Sequence, residues 1–292
     1  MMSNQSKTLL AIESFIERVQ CGLIDNGKLL YELQELIPAF YLQHCQNVWY
    51  SKHIQIFMRI IDTVESYLHG QNYCSLDMLL DHQIEPLRAL VNAYYQDILI
   101  ERHAFQLQEL SNQNKLREYV ARVLNQKSRS LIVRVDLKYH PNVQDQVNIH
   151  LFNQHMKVLR NRVSNGDRYF SDLEGFVWAL EQGGESSGFH CHLMLIYDGH
   201  KRQNDFGLAL AIGECWKEIT HGLGAFYTPN NPTSKARFEM EGTWALGRKN
   251  RANVQHCQSV IAYASYLAQP EKLGQHLRVK PSQCSRSFGT GQ

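Results

Sequence analysis

At 292 residues the chain exceeds the ~100 to 200 residues of a typical domain, so one large or two modest domains are expected. Apolar residues at 43% and charged residues at 20% exclude a chain disordered throughout, and no apolar run nears the roughly 20 residues that cross a bilayer. Net charge is only +2, but residues 1–126 hold 10 Lys and Arg against 14 Asp and Glu, whereas residues 127–292 hold 20 against 14, making the second half the expected partner of a polyanion.

The opening MMSNQSKTLLAIESF lacks the basic-then-apolar layout of a signal peptide, so a cytoplasmic protein is predicted. In SKTLLAIESFIERVQCGL the apolar residues Leu9, Leu10, Ile12, Phe15, Ile16 and Val19 recur at three- and four-residue steps. GKLLYELQELI, IQIFMRIIDTVESYL and EPLRALVNAYYQDILI repeat the pattern, with breaks at Asn26-Gly27, Gly70-Gln71-Asn72 and Pro86. Residues 1–125 therefore read as a helical N-terminal domain. Seven cysteines without a CxxC pair read as free thiols.

Composition changes near residue 128, where a second domain, 128–292, is expected. SRSLIVRVDLKYH alternates as a strand does. A helix over about 145–164 follows, then strands in LEGFVWALE and GFHCHLMLIYDG and a helix over about 204–221. After the loop-rich TPNNPTS come an expected strand in RFEMEGTWAL, a helix over about 253–269 and a short extended piece, QHLRVKPSQCSRSFG. This order suits an α+β fold, an antiparallel sheet with helices packed on it.

His190-Cys191-His192 lies inside the apolar strand GFHCHLMLIY. Side chains alternate along a strand, so both imidazoles project from one face about 6 to 7 Å apart at the backbone and Cys191 from the other. Two imidazoles on one face can share a divalent ion that Cys191 cannot reach. Glu181 closes the preceding strand, and the turn-rich QGGESSG between them predicts a hairpin that sets it beside the histidines; Glu185 is the fallback ligand. A carboxylate with two imidazoles leaves positions open on Mg²⁺ or Mn²⁺ for phosphate oxygens and water.

Downstream, NVQHCQSVIAYASYLAQPEK presents Tyr263 and Tyr266 three residues apart, on neighbouring positions of a helix. A phenol brought to a metal-polarised phosphate can carry out transesterification. Gln269 and Lys272 follow, either able to reach metal or phosphate, and Asp136 on the first strand can support the metal from behind a ligand. Arg134, Lys138, Arg248, Lys249 and Arg251 are candidate DNA phosphate contacts. Tyr139, Tyr169, Tyr227 and Trp244 are candidate stacking platforms.

LIVRVDLKY, WALEQGGESSGFHCHLMLIYDG, SYLAQPEK and the terminal RSFGTG together resemble the inovirus replication-initiator-like family, of the YagK/YfjJ C-terminal domain type, within the HUH endonuclease superfamily. The resemblance covers about residues 128–292. It implies a ferredoxin-like or RRM-like sheet, binding of single-stranded or hairpin origin DNA, and nicking that leaves a free 3′-OH and a 5′-phosphotyrosine. By position it implies His190, His192 and Glu181 as metal ligands and Tyr266 as nucleophile. Gln269 stands where the family's Tyr-x-x-Lys block has Lys, with Lys272 three residues on, so Lys272 or Tyr263 becomes an alternative participant.

The expected function is metal-dependent nicking and joining of single-stranded DNA at the start of rolling-circle replication of a phage-like element. A transposase or relaxase would use the same site, and a catalytically silent DNA-binding regulator is the reading from another class. With no GxxxxGK[ST] motif, unwinding would fall to a host helicase. The helical N-terminal region is a candidate surface for a homodimer.

Overall fold

The computed structural model describes residues 4–70, 72–183, 188–267 and 274–291. Its contacts divide the chain into two units. The first comprises Met1–Leu107, Asp145–Ile149 and Leu277–Ser285; the second comprises Gln108–Gln144, His150–His276 and Arg286–Gln292. The division falls inside a continuous helix rather than at the change of composition near residue 128.

The first unit is helical, in line with its apolar spacing. It contains α1 (Gln5–Gln20), α2 (Asn26–Gln43), the short β1 (Trp49–Tyr50), α3 (Lys52–Leu68) and the start of α4 (Asp81–Leu124). Asn4 and Asp25 accept hydrogen bonds from the amides of Lys7 and Lys28, which have no partner inside α1 and α2. The repeating positions bury Leu9, Ile12, Phe15 and Ile16, and Phe15 meets Phe57 of α3 edge-on at 6.1 Å. Burying each such side chain contributes about 1.5 to 3 kcal/mol, which is what holds amphipathic helices of this length.

The second unit is built on a sheet. In chain order it holds the end of α4, β2 (Arg129–Tyr139), α5 (Ile149–Asn165), β3 (Leu173–Gly183), β4 (Gly188–Asp198), α6 (Asp205–Ile219), β5 (Gly224–Tyr227), α7 (Pro232–Met240), β6 (Gly247–Asn250) and α8 (Val254–Leu267). β7 (Val279–Lys280) then pairs with β1 in the first unit, and β8 (Phe288–Gly291) closes the second. The six-stranded sheet runs β5-β2-β4-β3-β8 with β6 also on β2, and all its pairings are antiparallel. The protein is thus a mixed α+β molecule with a helical N-terminal region.

Both faces of the sheet are covered, which is why β2, β3 and β4 read as long apolar runs. On one face Ile132, Val177, Met194 and Ile196 pack with Leu116, Val120 and Val123 of α4 and Val260, Ala264 and Leu267 of α8. On the other, Tyr139 meets Phe152 of α5 and Trp216 of α6 at 6.3 and 5.6 Å. A Cβ at Gly213 would collide with the Phe226 ring, so glycine there lets α6 lie close on β5.

One expected element is corrected. RFEMEGTWAL does not form a strand: its first residues complete α7, and the strand that follows starts only at Gly247. Asn231 accepts from the Ser234 amide and Pro232 occupies the first turn, a helix start whose components lie in the TPNNPTS stretch read as loop. Among the described residues no helix is long and apolar enough to cross a membrane.

Candidate metal centre and adjoining tyrosine

The β3–β4 hairpin sets Glu181 directly opposite His190 and Ala179 opposite His192. Glu181, His190 and His192 therefore share one face. Glu181 Oε2 lies 3.3 Å from His190 Nε2 and 3.2 Å from His192 Nε2, and the three potential ligand atoms fall within 4.8 Å of one another. Cys191 points into the opposite layer, fully buried, where burial pushes its thiol well above the ordinary range.

Hydrogen bonding behind each ring decides what its front presents. The Gly188 carbonyl, 3.2 Å from His190 Nδ1, can only accept, so Nδ1 carries a proton. Asp136 Oδ1 lies 2.6 Å from His192 Nδ1 and imposes the same tautomer. Two Nε2 lone pairs then converge on a carboxylate oxygen, which is repulsive unless a proton or cation sits among them. This donor set fits a divalent ion with an imidazole–carboxylate support behind it.

Electrostatics agree. Burial would raise the Glu181 carboxyl, but with no ion present a proton on the facing His190 and His192 Nε2 atoms, donated to the carboxylate, outweighs it and holds the group at about 2. At His192 burial lowers the pKa, while Asp136 and Glu181 overcome this and raise it. For Asp136, burial pushes upward, yet Arg134 and His192 hold the carboxyl well below the usual range.

Arg134 extends the site toward α8. Its Nε donates to Asp136 Oδ1 at 2.8 Å and its Nη1 to Tyr263 Oη at 2.9 Å, while its Nη2 donates to Asp136 Oδ2 at 3.3 Å, beside the protonated His192 Nδ1 rather than bonded to it. Burial holds the Tyr263 phenol above its ordinary value, with the Arg134 charge opposing the rise without cancelling it. The backbone of Arg134 is also fixed. Between the stretches of β2 paired to β6 and to β5, the Asn230 side chain stands in for a strand: its Oδ1 accepts from Arg134 N at 2.9 Å and its Nδ2 donates to Ile132 O at 3.0 Å. Thr228 Oγ1 donates to Arg134 O at 2.7 Å.

The remaining expected residues are spread more widely. Tyr266 is 50% exposed, three residues beyond Tyr263 on α8. Arg248 and Arg251 are exposed, and Arg251 Nη1 donates to Asn125 O. Lys249 is buried with Nζ on the Trp244 carbonyl at 2.5 Å, a placement that does not suit a phosphate contact. Lys138 is half-buried. Arg134, a candidate phosphate contact, is 9% exposed and bound to Asp136 and Tyr263. Tyr139 is buried against His155 and offers no stacking face, whereas Tyr227 is 47% exposed; Tyr169 and Trp244 are half-buried. Glu185, Gln269 and Lys272 lie outside the described residues. Sequence reasoning passed over Thr228 and Asn230, although Asn-rich TPNN is a segment whose side chains readily satisfy backbone groups.

Fold and site together define a mixed α+β protein carrying a two-histidine, one-carboxylate constellation beside a tyrosine. The family model of the YagK/YfjJ C-terminal domain matches residues 94–291, more than half of the chain, and the protein belongs to that family. No curated protein and no solved structure matches it.

Proposed function

We propose that the protein is a metal-dependent nicking and joining enzyme for single-stranded DNA, of the HUH type, which starts rolling-circle replication of a phage-like element. The observation that carries this reading is the convergence of Glu181, His190 and His192 on the sheet face that the tyrosine-bearing α8 covers. The order β5-β2-β4-β3, with α5 and α6 as the connecting helices, supports it too, because it is the split β-α-β arrangement of ferredoxin-like sheets.

Glu181, His190 and His192 would hold Mg²⁺ or Mn²⁺, and Asp136 keeps His192 in the tautomer that binds it. A divalent ion bound there supplies positive charge against the nonbridging oxygens of a phosphodiester. The tyrosine oxygen attacks phosphorus: the new O–P bond forms as the P–O3′ bond breaks, the phenol gives up its proton and the departing 3′ oxygen takes one from solvent. A 5′-phosphotyrosine and a free 3′-OH remain, and reversal by a 3′-OH reseals the strand without ATP. Exposed Arg248 and Arg251 are suited to the DNA backbone, and Tyr227 to a base. Origin hairpins or single strands are the substrate class, with unwinding left to a host helicase.

The test uses the full chain with single-stranded oligonucleotides tiling the DNA around its own gene, with Mn²⁺ or with EDTA. A denaturation-resistant protein–DNA conjugate that needs the metal is expected. Binding of these oligonucleotides with no conjugate under any metal condition would make the protein a silent DNA-binding regulator instead.

A further inference from the structure

We propose that Lys138 is the cation that holds a phosphate of the substrate strand at the metal centre, with the adjoining base on Tyr227, an inference that rests on the nicking reading above.

Sheet register decides which side chains share the face of the metal ligands. Asp136 pairs with His192 on one side of β2 and with Tyr227 on the other, so these three stand in one row across β4, β2 and β5. Lys138, two residues along β2, falls on the same face, because Leu137 and Tyr139 on either side of it are buried in the opposite layer with Cys191 and Trp216. The pairing of Leu137 with Cys191, continued by one residue, brings Lys138 alongside His190, which is itself opposite Glu181. On β5 the partner of Lys138 is Ala225, which offers only a methyl group there. Trp216 Nε1 donates to Lys138 O at 2.8 Å from the opposite layer and fixes the backbone at this point.

Lys138 is half-buried, and among the described residues none forms a hydrogen bond or ion pair with its ammonium. The other cations put forward for DNA are placed differently. Arg134 is bound to Asp136 and Tyr263, and Lys249 to the Trp244 carbonyl. Arg248 pairs with Leu131 near the other end of β2, on the opposite face from Asp136, and Arg251 donates to Asn125 O. With a divalent ion bound, Glu181 offsets half of its charge, and Arg134 already neutralises Asp136. Lys138 therefore adds to a surplus of positive charge beside open coordination positions, which favours a phosphate shared between ion and ammonium. Tyr227 is exposed, and its hydroxyl lies 3.2 Å from Ser234 Oγ on α7, a contact that orients the ring as a platform for the neighbouring base.

The experiment measures binding and conjugation side by side, on the full chain with Mn²⁺ and the tiled single-stranded oligonucleotides. Lys138→Gln is expected to weaken binding about 10-fold at about 0.1 M salt, with Mn²⁺ affinity changed less than about 3-fold. The slope of log affinity against log salt should become shallower by about 0.7, the share of one phosphate contact on a single strand, whereas Lys138→Arg should keep the wild-type slope. Methylphosphonate then replaces one phosphate at a time. In wild type one position should weaken binding about as much as Lys138→Gln does, and that replacement should cost Lys138→Gln nothing further. Tyr227→Ala is expected to lose about 5- to 100-fold in affinity at an unchanged slope, with Tyr227→Phe close to wild type. A wild-type slope in Lys138→Gln, or a sensitive phosphate that is just as sensitive in that variant, overturns the assignment. The scan on unaltered protein decides even if Lys138→Gln folds poorly, since no sensitive phosphate at all also overturns it. If the assignment fails while a metal-dependent conjugate forms, the nicking reading stands. Lys138-dependent binding with no conjugate keeps the phosphate contact and removes the nicking step.

Discussion

Asp136 and His192 face each other in register across β2 and β4, and the carboxylate reaches the imidazole Nδ1 at 2.6 Å. Neither residue is near the other in sequence, and the pair links the β3–β4 hairpin to a third strand. A neutral isostere tests it. Asp136→Asn keeps the shape but lets its amide present a donor to Nδ1, which favours the wrong tautomer. Mn²⁺ affinity is expected to fall about 10- to 100-fold, measured by titration calorimetry or by loss of the free-Mn²⁺ paramagnetic signal. An unchanged affinity would mean that Asp136 has only a structural role.

Ligand binding to the folded state alone stabilises it. Mn²⁺ at about 100 times its dissociation constant is expected to add roughly 2.7 kcal/mol, visible as a rise in melting temperature that EDTA reverses. Glu181→Gln and a His190→Ala/His192→Ala double variant should lose this increment. If they keep it, the ion binds elsewhere.

Asn230 supplies the hydrogen bonds that a neighbouring strand would otherwise give to Ile132 O and Arg134 N, and its amide also reaches Asp205 at 2.8 Å. Asn230→Ala strands two buried backbone groups, each costing about 1 to 3 kcal/mol. A loss on the order of 2 to 4 kcal/mol in urea unfolding is expected, with faster amide exchange at Arg134. Slow exchange at Arg134 in the variant would show that Thr228 alone holds this stretch of β2.

Lys249 carries a pH signature. Burial lowers its ammonium from 10.5 to about 8, with Lys235 adding to the effect. The unfolded chain keeps this proton up to the higher value while the folded chain releases it near the lower, so between them the unfolded state binds more protons and stability rises with pH. The gain across the window is on the order of 3 kcal/mol at most. Urea unfolding from about pH 7 to about pH 9.5 should show this rise in wild type and a flatter profile in Lys249→Met. Parallel profiles would exclude a buried ammonium.

What the sequence by itself determined is local. Apolar spacing marked the N-terminal helices because an amphipathic helix writes its buried face every three or four residues. Strand alternation put both histidines on one face, and the turn-rich link between β3 and β4 set Glu181 opposite His190, because a hairpin joins neighbours in sequence. The RFEMEGTWAL segment misled, since its aromatic and apolar residues suit a strand while the helix start lies upstream at Asn231 and Pro232. Only the tertiary structure decided that Asp136 backs His192 across 56 residues of chain, that Arg134 meets Tyr263 across 129, and that Asn230 completes β2. Alternation says which face a residue occupies but not which strand lies beside it or which helix crosses above. That choice is made when the whole sheet and its covering helices pack at once.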